Sequence, residues 1–154
     1  MSRMLFTGVG LAALAAVGGA LVSQYVFHME PCAWCVLQRL IFLVIGALAL
    51  LAAVLPVRLL RGLLGVCVAA LGLSGVATAL WQHFVAAKST SCNLTLADRI
   101  VSGLGLDAGL PAVFEPRASC ADAATTLLGV PYEFWSLALF AVLAGTALLA
   151  LRRL

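Results

Sequence analysis

Pro31-Cys32-Ala33-Trp34-Cys35-Val36-Leu37-Gln38-Arg39 opens an apolar run that continues to residue 55. Proline suits the first turn of a helix, so Pro31 is expected to begin a helical segment. Cys32 and Cys35 then stand three apart on one face, close enough for a disulfide or for two ligands to one metal. A helix N-terminus favours negative charge and therefore a thiolate. Arg39 falls one turn below Cys35, already inside the apolar run. A cation that close to a bilayer core is costly, which points to function. The other reading is an arginine that snorkels to the interface beside an inert disulfide.

The surroundings of this stretch are those of a membrane protein. The 154-residue chain is 64% hydrophobic and 10% charged, where a soluble domain is roughly half apolar and about a quarter charged. Four apolar runs, at about 4–27, 32–55, 62–87 and 133–151, match the ~20 residues that cross a bilayer. The fold expected is all-α: a four-transmembrane-helix bundle in the lipid bilayer, a single domain over 1–154, with loops at 28–31, 56–61 and 88–132. Arg3 ahead of the first run, with Gly18, Gly19 and Ala20 near its end, also fits a secretory signal. The run exceeds a signal's apolar region, so a retained helix is expected. Gly65, Gly72 and Gly75 in the third run permit close helix approach. In the long loop, Leu94, Leu96, Ile100, Val101, Leu104 and Leu106 recur loosely at helical spacing. They read as a short amphipathic segment on the membrane surface, or as ordinary apolar anchors of a loop.

Charge orients the spans. Arg3, Arg58, Arg61, Arg152 and Arg153 fall at the termini and the short middle loop, and all six acidic residues fall at the opposite side. The positive-inside rule makes both termini cytoplasmic. Cys32, Cys35, Cys92 and Cys120 are then extracytoplasmic, where disulfides persist, and two pairs are expected. Cys67, in mid-span, reads as a small apolar residue.

This topology brings distant residues to one membrane face. Arg39 and Gln82-His83 lie at similar depth, and Trp34, Trp81 and Trp135 rim the same side. A dithiol, a cation and an imidazole beside an apolar, aromatic-rimmed slot suit a membrane-soluble two-electron acceptor. A quinone is planar and apolar and gains negative charge on reduction, which Arg39 would stabilise strongly in a low dielectric. His83 or Gln82 could hydrogen-bond a quinone oxygen; His83 also reads as a plain interfacial residue, and each Trp as ordinary anchoring. The loop pair Cys92 and Cys120 can pass a disulfide between a soluble partner and Cys32–Cys35, or serve structure alone.

The chain resembles the DsbB-type disulfide bond formation proteins, bacterial membrane thiol:quinone oxidoreductases that reoxidise the periplasmic dithiol oxidase DsbA. The resemblance rests on Pro31-Cys32-x-x-Cys35-x-x-x-Arg39, Gln82-His83, Cys92, Ser119-Cys120, Leu128-Gly129 and Trp135, and it covers nearly the whole chain. It implies an inner-membrane enzyme, a membrane quinone (ubiquinone or menaquinone) as acceptor and a periplasmic DsbA-like thiol oxidase as partner. It also implies roles. Cys92 would form the mixed disulfide with the oxidase, Cys120 would attack Cys32, and Cys35 would pass electrons to the quinone. Arg39, His83, Gln38, Gln82, Trp34 and Trp135 are the candidate quinone-binding residues. No resident metal and no nucleic acid are expected. Some family members carry Glu where this chain has Gln38, which touches proton delivery. Some carry Gly-Asp where it has Ala118-Ser119, which touches loop geometry. Two other readings stay open: a metal-handling protein using Cys32, Cys35 and His28, and a structural membrane protein with two inert disulfides.

Overall fold

The computed structural model describes residues 1–89 and 95–154. Inside a bilayer no water satisfies backbone groups, so a spanning segment must bond its own N–H and C=O groups as a helix. Among the described residues, four helices are long and apolar enough to cross a membrane. They are α1 (Ser2–Tyr25), α2 (Ala33–Val54), α3 (Arg58–Phe84) and, after a set of short elements, α7 (Tyr132–Arg152). The chain is a multi-pass, four-helix membrane bundle in which α1 packs on α2 and α7, and α3 on α2 and α7.

Local chemistry sets the helix ends. Cys32 is extended and caps α2, its sulfur accepting from Cys35 N at 3.4 Å, so Pro31 precedes the cap instead of opening the helix. Pro56 drives Leu55 into extended backbone and stops α2. Only 55–57 connect α2 to α3. Arg58 and Arg61, expected in a six-residue connection, therefore lie in the first turn of α3. The Arg61 Nη2 donates to Leu55 O at 2.8 Å, a cation on the C-terminal end of α2.

Lipid tails are as apolar as the side chains, so helix association depends on close contact through small residues. Phe42 of α2 stacks on Phe140 of α7, with ring centroids 3.9 Å apart and planes 5° from parallel. Gly75 of α3 makes room for this stack, because a Cβ there would collide with the Phe140 ring. At Gly72 a Cβ would meet Ala144 Cβ at 2.8 Å.

The long connection is built of short elements over the end of α2. The amphipathic segment is α4 (Leu96–Gly103), opened by a capping box in which Thr95 Oγ1 accepts from Asp98 N and Asp98 Oδ2 accepts from Thr95 N. Its inward face is Ala97 and Val101, and Val101 packs with Val36 of α2 and Phe114. The leucines Leu96 and Leu104 face outward, and Leu94 lies outside the described residues. Left-handed Gly105 breaks the helix, and α5 (Leu106–Gly109) and α6 (Pro111–Phe114) follow. Ser102 donates to Asp107 at 2.6 Å, which holds that carboxyl below the usual range. The strands β1 (Thr126–Leu127) and β2 (Val130–Pro131) then form a two-residue hairpin, with Leu128 and Gly129 both at positive φ.

Close packing at Gly75 has a measurable consequence. Gly75→Ala is expected to cost about 1–3 kcal/mol through overpacking. Gly8→Ala, on an exposed position with open space around it, is expected to leave the thermal midpoint of the detergent-solubilised protein unchanged. Equal midpoints for the two variants would show that the α3–α7 contact is looser than described.

Candidate active site at the loop end of the bundle

The capping geometry separates two sulfurs that are 2.9 Å apart. Cys32 is fully buried above the helix end, and the Cys120 side chain sits against its thiol. The loop segment is held there by two backbone hydrogen bonds, Arg117 N and Ala118 N both donating to Pro31 O. Cys35, at the third helical position, lies on the flank of α2 and opens into a cavity of about 300 Å³. That volume stands at the small end of the roughly 300–1,000 Å³ typical of small-molecule sites. Cys92 lies outside the described residues.

Small residues of α1, Gly19 and Ala20, open one wall of this cavity, and Phe42 and Leu139 give it apolar surface. Trp135 lines it from α7, fixed by its indole N–H donating to Leu127 O at 3.1 Å. The hairpin thus positions the tryptophan. Polar atoms converge on one side. The Gln82 amide donates to Cys35 Sγ at 3.2 Å, and Gln38 Nε2 donates to Gln82 Oε1 at 2.7 Å. The Gln38 bond orients the Gln82 amide, so that its NH₂ faces the sulfur.

Arg39 lines the same cavity and is 6% exposed. Its Nη1 donates to Gln24 Oε1 at 2.6 Å and to Val113 O at 3.0 Å, and its Nη2 to Ala20 O at 3.4 Å. All three acceptors are neutral. Among the described residues no carboxylate comes within ion-pair distance of Arg39. A buried cation held by dipoles alone attracts an anion from the cavity it faces. The snorkelling reading does not describe this buried, hydrogen-bonded guanidinium.

Two of the residues expected here lie elsewhere. Trp34 is buried on another side of α2, 6.3 Å from Trp81 between ring centroids, and it lines a separate apolar groove. Its position directly before Cys35 turns it about 100° away around the helix. His83 does not line the Cys35 cavity. Its Nδ1 meets Glu133 Oε1 at 2.6 Å, and its ring lines a second cavity beside the hairpin. The structure adds Gln24, Tyr132 and Glu133. A lone glutamine in an apolar run was the available signal for Gln24. Glu133 was legible only as a charge flanking a span. Among the described residues no three His, Cys, Asp or Glu side chains gather to hold a metal ion, so His28 does not join Cys32 and Cys35 in such a group.

The architecture and this site agree with what the chain is similar to. The family model described as "Disulfide bond formation protein DsbB" matches residues 2–150. A disulfide bond formation protein B from Ralstonia nicotianae is 35% identical over 99% of this chain and 95% of its own length. One from Dechloromonas aromatica is 33% identical over 96% and 90%. A disulfide bond formation protein B 2 from Pseudomonas syringae is 34% identical over 97% and 86%. With a bundle of four spanning helices and a cysteine pair between a loop thiol and a lined cavity, the chain belongs to the DsbB family and is a disulfide-generating membrane oxidoreductase.

Proposed function

We propose that this oxidoreductase reoxidises a periplasmic DsbA-like dithiol oxidase and passes the electrons to a membrane quinone, ubiquinone or menaquinone. The observation that supports this most is the division of the Cys32–Cys35 pair, with Cys120 against Cys32 on one side and Cys35 open to the Arg39 cavity on the other. In this reading a partner thiolate attacks Cys92 and forms a mixed disulfide, which the second partner thiol resolves. Cys120, released, attacks Cys32 and frees Cys35 as a thiolate; Cys92 then attacks Cys120, which restores the loop disulfide and frees Cys32, and the Cys32–Cys35 disulfide re-forms as the pair gives up two electrons to the acceptor. Quinone, when bound, supplies a two-electron, two-proton acceptor. The cavity fits it: an apolar slot near Phe42, Leu139 and Trp135, with one cation and several donors at one edge. Arg39 would hold the developing negative charge, and Gln82 would steady the Cys35 sulfur. The partner dithiol loses two electrons and two protons, and the acceptor gains the same.

The arrangement in the membrane follows the charge. Phe6, Gly65 and Leu151 meet at the end that carries Arg3, Arg58, Arg61, Arg152 and Arg153. We place this end in the bacterial cytoplasm, with the inner membrane as the location and the cysteine pairs on the periplasmic side.

An anaerobic assay tests the relay. Oxidised protein receives a reduced DsbA-like dithiol protein and a short-chain quinone, and quinone absorbance is followed. The wild type is expected to consume quinone, Cys92→Ser to abolish consumption, and Arg39→Ala to slow it on the order of a hundredfold. Absence of quinone loss with either headgroup class would sink the reading. Orientation is tested separately with reporters fused after Leu154. A reporter active only in the cytoplasm is expected to work there, and one active only after export to fail; the reverse pattern would overturn the assignment.

A further inference from the structure

Reducing a quinone takes two protons as well as two electrons, and much of the wall of the Cys35 cavity is apolar. Its polar edge is short of acids. Gln38, beside Arg39, is an amide and cannot deliver a proton. Among the lining residues the one carboxyl group is Glu133, in the first turn of α7 and 6% exposed.

Glu133 also lines the second cavity, of about 450 Å³, together with His83, Thr125 and Thr126. It is therefore the wall between the two. The second cavity reaches the surface, since Ala124 and Thr126 on its lining are exposed and His83 is about a third exposed. His83 Nδ1 and Glu133 Oε1 are 2.6 Å apart, the short contact of a charge-assisted hydrogen bond. The ring of His83 packs edge-on to Phe84 and against Phe134. A buried carboxyl thus has a titratable, solvent-reaching imidazole on one side and the reaction cavity on the other.

We propose that His83 and Glu133 form the path by which protons enter from the outer aqueous phase to the reducible oxygen in the Cys35 cavity, with Glu133 the donor at the cavity wall. The inference rests on the thiol:quinone reading. Water in the second cavity protonates His83 at Nε2, and the imidazolium gives its Nδ1 proton to Glu133 Oε1. Rotation about the terminal torsion of Glu133, a soft two-fold torsion, turns the protonated oxygen toward the first cavity. The proton passes to the acceptor oxygen, and Glu133 returns to a carboxylate ready for the next. Between passages His83 Nδ1 takes a proton from water in the second cavity and Nε2 gives one back, which restores the starting tautomer, so that two passages per turnover supply two protons. The two electrons come from the dithiol, whose own two protons leave to the outer aqueous phase. The remaining titratable or charged groups around the pair are Cys35 and Arg39 of α2 and Tyr132 of α7, across the first cavity. Among the described lining residues α1 contributes none, and α3 adds only His83 itself.

Two measurements test this. In quinone-free protein, the hydrogen bond between the pair is read by NMR in wild type and Glu133→Gln. A strongly deshielded His83 Nδ1 proton is expected in wild type and its loss in the variant. Its absence from wild type overturns the path, because the two groups would not share a proton. In the quinone assay, Glu133→Gln is expected to lower kcat about a hundredfold with KM for quinone within about twofold, and to flatten the pH–rate profile. Glu133→Asp is expected to recover part of the rate and the pH dependence, which a misfolded protein would not. A Glu133→Gln enzyme with the wild-type rate and pH profile overturns the proposal. If wild type itself reduces no quinone, the thiol:quinone reading fails instead.

Discussion

The structure turns on a guanidinium buried without a countercharge. Taking a cation out of water costs several kcal/mol even after relaxation. Arg39 offsets that cost with oxygen atoms of three residues from two separate parts of the chain: Gln24 and Ala20 of α1, and Val113 of α6. The same bonds seat the loop on the bundle, and Tyr25 adds a hydrogen bond to Ala112 beside them. Dipoles can solvate a cation but leave its field unneutralised, so the cavity keeps a positive potential. That potential is present before any reaction begins, which is the condition for it to favour charge that appears only during the reaction.

The other organising feature is geometric. A helix cap and the residue three further on occupy different environments although their sulfurs touch. The cap lies above the first turn, where Cys32 meets the loop, while Cys35 is on the side of the helix, where the cavity is. A thiol pair placed in the middle of a helix would put both sulfurs on one face and expose both to one compartment. At the helix start, the pair faces a loop thiol and a lined cavity at once. Pro31 matters here as the acceptor that fastens Arg117 and Ala118, and with them Cys120.

How much of this was legible in the sequence divides along physical lines. Hydrophobic runs of bilayer length are a strong one-dimensional signal, and the four helices follow from them. The Cys-x-x-Cys and Arg39 spacing is short-range, so their relation survives folding. Helix ends depended on single residues: Pro56 shortened the connection and moved Arg58 and Arg61 into α3. The spacing of apolar residues marked the segment that forms α4 but not which of them turn inward: Ala97 and Val101 are buried, Val101 against Val36, while the larger Leu96 and Leu104 face out. Trp34 and His83 share the depth of the site but not its azimuth, and rotation about a helix axis needs the tertiary packing. The hairpin at Leu128-Gly129 has no extended run around it to reveal it, although it fixes Trp135.

The placement of carboxyl groups also follows from Arg39. A glutamate at position 38 would sit in the cavity that holds the guanidinium and Cys35, and as a carboxylate it would neutralise the cation and repel a thiolate. With Gln38 the side chain instead orients Gln82 toward the sulfur, and the field of Arg39 stays available. An acid placed at Glu133 is set apart on α7 and has its own partner in His83. Its carboxyl is hydrogen-bonded on the side away from the guanidinium, in the wall shared with the second cavity. In the proposed reaction, charge stabilisation and proton supply, which conflict when placed side by side, are separated onto two helices.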